Sequence, residues 1–149
     1  MNSRSFFLRV LATTGWLALS LGAAAQKPGK MTLSETLKAS RWEERVLLLC
    51  ASTSRQADFV KQKELLLKEE NSLRERDTRT IDVLYDRLSP ADQSFLRDEL
   101  GISAADFTVV LIGKDGGVKL RQPTPLTTQL LFSTIDAMPM RQREMRKNK

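Results

Sequence analysis

The sequence contains no histidine. That removes the commonest general base near neutral pH and the commonest transition-metal ligand. Cysteine is nearly absent too, since Cys50 stands alone. No internal disulfide can form, and no thiolate cluster can hold zinc. Such a fold has to hold by packing. A membrane-spanning run is also missing. The apolar stretch from Val10 to Leu21 is about 12 residues, whereas crossing the hydrocarbon core takes ~20. No glycine-rich turn leads from a strand into a helix with Lys-Ser/Thr spacing, which excludes a phosphate loop. The expectation is a chain with no cofactor, no metal site and no catalytic residues.

What stands at the N-terminus is an address. Met1 to Arg9 carries Arg4 and Arg9 and no acid, the run to Leu21 is uncharged, and Gly22-Ala23-Ala24-Ala25 precedes Gln26. A basic region, a short apolar region and a small-x-small site make a secretory signal, cut after Ala25. Ser5 stands where a twin-arginine signal has its second arginine, and Gln26 where lipid attachment needs a cysteine. The predicted division is a signal over 1–25, a leader over 26–32, a domain over 33–140 and a basic tail over 141–149. The destination is periplasmic or secreted.

Charge then takes on a different meaning. The formal net charge is +6. Two of those charges leave with the signal, four sit in the tail from Arg141 to Lys149, and Gln26 to Met140 sums to zero. A neutral domain with a basic end does not offer a nucleic-acid face. The tail from Met140 to Lys149 could continue as a short helix or stay loose, and it reads as a solvated terminus, capable at most of weak contact with anionic membrane.

Local signals place the elements. Thr32 and Glu35 have capping-box spacing, predicting a short helix over 33–39. Arg45 to Ala51 is an apolar run suited to a strand buried on both faces. Gln56 to Arg74 reads as one long amphipathic helix, with Phe59, Leu66 and Leu73 on one side. Arg79 to Tyr85 alternates like a strand. Ser89-Pro90 starts a helix, and Gly101 stops it. Phe107 to Ile112 and Val118 to Arg121 form a hairpin about Lys114-Asp115-Gly116-Gly117. Pro125 to Met138 is a last helix, closed by Pro139. Trp42 is expected in the core or as a lid over it. Adjacent acids such as Glu69-Glu70 and Asp98-Glu99 read as solvated faces.

The order is that of the thioredoxin fold: an α/β domain with a four-stranded mixed sheet (β-α-β-α-β-β-α) and an extra N-terminal helix. Four segments sharpen this: Arg41-Trp42, Arg76-Asp77, Phe107 through Arg121 (FTVVLIGKDGGVKLR) and Ile135 through Met145 (IDAMPMRQREM). Together they resemble the domain-of-unknown-function family DUF 4174, from about Leu33 to Met145. That family occurs in exported bacterial proteins and is similar to a domain of animal extracellular proteins of the sushi-repeat and coiled-coil-domain kind. The resemblance implies a thioredoxin- or peroxiredoxin-like fold and an extracytoplasmic setting, and it hands over no reaction.

In thioredoxin-like folds the reactive cysteine follows the first strand at a helix start, where a thiol pKa is depressed. Here Ser54 and Ala57 stand at those places, and the loop that carries a cis-proline in such enzymes reads Asp106-Phe107. Cys50 lies inside the strand and reads as a small apolar filler, with a peroxidatic thiol as the alternative. Ser52, Thr53, Ser54 and Arg55 could cap the next helix or form an anion-binding corner. With Asp106 and Phe107 they make the candidate binding surface. The function expected is a non-catalytic binding or structural module of the cell envelope, its partner an envelope or extracellular protein. The alternatives are a divergent peroxiredoxin-like oxidoreductase using Cys50, and a small-anion-binding protein.

Overall fold

The computed structural model describes residues 31–103 and 106–147. The stretch expected to be an export signal, residues 1–25, and most of the expected leader lie outside the described residues. Among those described, no helix is long and apolar enough to cross a membrane.

Helix α1 (Leu33–Ser40) opens on a complete capping box: the Thr32 hydroxyl accepts from the Glu35 N–H, and the Glu35 carboxylate accepts from the Thr32 N–H. Strand β1 (Arg45–Ala51) is buried at every position. It lies between β2 (Thr78–Leu84), to which it is parallel, and β3 (Thr108–Ile112), to which it is antiparallel. Strand β4 (Val118–Gln122) pairs with β3, giving the sheet order β2-β1-β3-β4. Gly116, at φ 82, takes the left-handed position of the hairpin turn.

Strand period two explains why β1 is apolar throughout. Leu47, Leu49 and Ala51 face a cluster with Phe59, Leu66, Leu73, Phe107, Leu131 and Ile135. Val46, Leu48 and Cys50 face the opposite cluster, with Leu33, Val83, Leu96 and Ile102. Helices therefore cover both faces, and each fully buried leucine contributes roughly 1.5–3 kcal/mol. Ser89 caps α4 (Pro90–Asp98), with proline at its first turn. Buried Gln62 ties the layer above the sheet together, accepting from the Leu126 N–H at 2.6 Å and donating to the Leu126 carbonyl at 3.2 Å.

Three expectations need correction. The long helix over 56–74 is two helices, α2 (Ala57–Leu67) and α3 (Glu70–Glu75). A continuous helix of that length would run about 28 Å, against about 23 Å for a seven-residue strand. Breaking at Lys68-Glu69 turns the chain back over the sheet end, and Leu67 is left 69% exposed. Trp42 is not in the core or over it: it is 65% exposed and sits at φ 69. Third, α5 (Thr128–Asp136) starts later than expected, at the Thr127 cap, and Pro139 opens a further helix as well as following the end of α5. That helix, α6 (Pro139–Lys147), contains residues 141–147 of the stretch read as a solvated tail, and its Arg141 is buried.

Candidate functional site

The two ends of β1 hold the polar groups that could do chemistry. At its C-terminal end, Ser52 to Arg55 form a tight turn leading into α2. The Ser52 N–H donates to the Gln56 side-chain oxygen at 2.9 Å, and the Arg55 N–H to the Thr53 hydroxyl at 3.3 Å. The Gln56 N–H donates to the Thr53 carbonyl at 3.2 Å. Gln56, not a serine or threonine, occupies the N-cap of α2, and it makes no side-chain cap bond. Its amide is turned back onto Ser52, so the expected hydroxyl cap does not form. Ser54 accepts a long hydrogen bond from Arg87 at 3.5 Å.

The register pairs Cys50 with Thr108, so Asp106 and Phe107 run on past Ala51 at this same end. Asp106 is exposed. Phe107 is 3% exposed and belongs to the core cluster, because strand alternation puts its ring beneath α5 and not on the surface. The six candidate residues thus share one end of the sheet, and five of them reach solvent. Cys50 lies one residue inside that end, facing the α1–α4 layer. Burial pushes its thiol up to about 12, against a weaker pull from Arg121. At neutral pH it is a protonated, covered thiol.

The N-terminal end of β1 is built quite differently. Arg45 is fully buried. It donates to the Arg76 carbonyl at 2.8 Å and to both Glu144 oxygens at 3.2 Å. Lys114 reaches Asp77 at 2.8 Å and Glu144 at 3.0 Å. Arg76 grips Asp136 with two bonds of 3.0 and 2.8 Å. Its guanidinium also sits 4.6 Å from the Phe132 ring centre. Arg141 joins Asp136 at 3.3 Å and Glu75 at 3.0 Å.

The electrostatics follow from that geometry. Burial pushes the Asp136 and Glu144 carboxyls up, but hydrogen bonds and charge from Arg76 and Arg141, and from Arg45 and Lys114, bring both below the ordinary range. Burial likewise lowers Lys114, and its two carboxylate partners raise it further than burial lowers it. Asp136, Glu144 and Lys114 are therefore held ionised by their neighbours. Among the described buried side-chain atoms, only Arg45 Nε lacks a partner. Beside the cluster, the Trp42 N–H donates to the Lys114 carbonyl at 2.7 Å. A Cβ at Gly116 would collide with the Arg41 guanidinium. Arg41-Trp42, Arg76-Asp77, the β3–β4 hairpin and the IDAMPMRQREM segment thus meet at one place. Sequence reading missed this cluster because its members are far apart in the chain. The one available signal was the density of charge inside those four segments.

Comparison with known proteins agrees with the architecture. The profile of a family described as "Domain of unknown function (DUF4174)" matches residues 36–144. The chain is similar in structure to a 2-Cys peroxiredoxin from Plasmodium vivax in its reduced form, at a TM-score of 0.55 and 15% identity. That superposition covers 73% of this chain and 84% of the peroxiredoxin. At such identity the likeness is one of fold. No curated protein matches the sequence.

Proposed function

The chain belongs to the DUF4174 family, and we propose that it is an exported, non-catalytic binding or structural module of the cell envelope. The observation that carries this reading is the state of Cys50. A nucleophilic thiol needs exposure and a depressed pKa, and this one is buried in mid-strand with its pKa pushed up to about 12. Ser54 and Ala57, at the positions where a redox pair would stand, carry no thiol. Export is supported by the basic, apolar and small-residue pattern of 1–25. Surfaces, not a reaction centre, then carry the function, and the turn from Ser52 to Arg55 with Asp106 is the exposed part of the β1 C-terminal end.

Thiol labelling followed by intact-mass measurement tests this. With a pKa of about 12, the thiolate fraction at pH 8 is about one in 10⁴. Folded protein should label slowly with iodoacetamide and stoichiometrically only in denaturant. Rapid, complete labelling of the folded chain, or conversion to a sulfenic acid by micromolar peroxide, would give Cys50 a reactive role and overturn the reading.

A further inference from the structure

Strand β2 is an edge of the sheet. Among the described residues β2 pairs with β1 alone. The Asp77 carbonyl accepts from the Arg45 N–H at 2.7 Å, with Arg45 in register with Thr78. In a parallel ladder this phase directs the odd-numbered backbone groups of β2 towards β1. The N–H and C=O groups of Thr78, Thr80 and Asp82 therefore point away from the sheet. The strand's charged side chains are tied back onto the chain itself, Arg79 to Glu44 at 2.8 Å and Asp82 to Lys63 at 2.9 Å.

Directly beside this edge runs a groove of about 650 Å³ between β2 and the α2–α3 corner. Leu66, Leu67 and Leu73 give it an apolar wall, and Leu67 is 69% exposed. The helix break that exposes Leu67 is thus also what opens the groove. Glu43, Glu70 and Arg74 line it without an ion-pair partner among the described residues.

We propose that this edge and groove bind an extended peptide segment of a partner protein, added as a fifth strand beside β2. The unpaired backbone groups select an extended backbone over a helix or a small molecule. Strand alternation would send every second side chain towards Leu66, Leu67 and Leu73, so the segment alternates apolar and polar residues. Two unpaired carboxylates against one cation favour a lysine or arginine in it. A second copy of this chain fits less well. Two identical concave grooves facing each other across a two-fold axis enclose a void, which a single convex strand fills. This surface is separate from Cys50 and from the Ser52–Arg55 turn, and the proposal does not depend on either.

The test starts from peptides selected on the purified full chain out of a phage-displayed library of random dodecapeptides. A synthetic copy of a selected peptide is then titrated while amide exchange is followed by NMR. Exchange should slow at Thr78, Thr80 and Asp82. Thr80→Pro removes an outward N–H at an edge position where proline is tolerated, and Leu67→Asp charges the groove wall at an exposed site. Each should weaken binding about tenfold or more, the worth of roughly one good hydrogen bond or apolar contact. Should Thr80→Pro fail to fold, Leu67→Asp still decides. Cys50→Ser should bind like the parent, which separates this outcome from the thiol question. The proposal is overturned if no peptide is selected or if affinity survives the folded variants. It is equally overturned if those three amides are already protected in the free chain, as they would be with the edge held by a second copy or by the chain's own N-terminal residues.

Discussion

At the C-terminal end of β1, polar groups mostly bond to near neighbours: Ser52 to Gln56, four residues on, and Arg55 to Thr53, two residues back. At the N-terminal end they bond across the chain. Arg45 meets Glu144 at a separation of 99 residues, Arg141 meets Glu75 at 66, and Arg76 meets Asp136 at 60. A local bond forms with little loop closure and stabilises its own turn, whereas a long-range bond fixes the relative position of whole elements. The two ends therefore have different tasks. One is a turn whose side chains are free to vary, and the other fastens α5 and α6 to the sheet.

The largest expected effect tests that division at its centre. Arg45→Ala removes the buried guanidinium and leaves Glu144 with one cationic partner fewer at the end of a packed helix. Breaking a buried pair from one side costs about 3–5 kcal/mol, and Glu144, at 23% side-chain exposure, puts this site near the lower figure. Urea unfolding should show a loss of about 3 kcal/mol. A loss below about 1 kcal/mol, the range of surface pairs, would show that the cluster does not hold α6.

Acid offers a second lever on the same end. The Asp136 and Glu144 carboxyls titrate lower in the folded chain than their ordinary values. The unfolded chain then binds more protons in acid. The stabilisation is fully present above the ordinary carboxylate range, near pH 4, and is lost as pH falls through the folded values. Lys114 is shifted upward, so its contribution is complete below its ordinary value and lost only as pH rises through the folded one. The melting temperature should hold a plateau through neutral pH and fall steeply below about pH 4. In the double variant Asp136→Asn, Glu144→Gln the acid fall should be shallower. An unchanged acid profile would remove the cluster as its cause.

How far the sequence led follows the same divide. The Thr32 and Ser89 caps, the all-buried strand at Arg45–Ala51, the Gly116 turn and the succession of the four strands were legible because each rests on near neighbours or on strand and helix periodicity. The break at Lys68-Glu69 carries no glycine or proline, and only the limited span of the sheet accounts for it. Trp42 was misplaced because its left-handed backbone follows from a bond to Lys114, 72 residues on. The charges of α6 looked like a tail because their acidic partners, Glu75 and Asp136 for Arg141, lie outside that segment. The position of Cys50 within β1 was readable, and so was the grouping of Ser52–Arg55 with Asp106. The burial of Phe107 was less so, because it stands where the loop becomes strand.

The smallest effect is expected at the other end. Ser54→Ala removes a hydroxyl whose one side-chain hydrogen bond among the described residues is the 3.5 Å contact from Arg87, a side chain itself 67% exposed. Gln56, not Ser54, occupies the N-cap position of the helix that follows, so no cap is lost. Stability should change by less than about 0.5 kcal/mol, the usual range for surface substitutions, as read from the same urea curves used for Arg45→Ala. A cost above about 1 kcal/mol would mean the turn stabilises more than itself, since a lost helix cap is worth that much. Set against the loss expected at Arg45, a near-zero value here would leave the C-terminal turn energetically free to change. Such freedom is what a surface selected for binding requires and a structural fastening forbids.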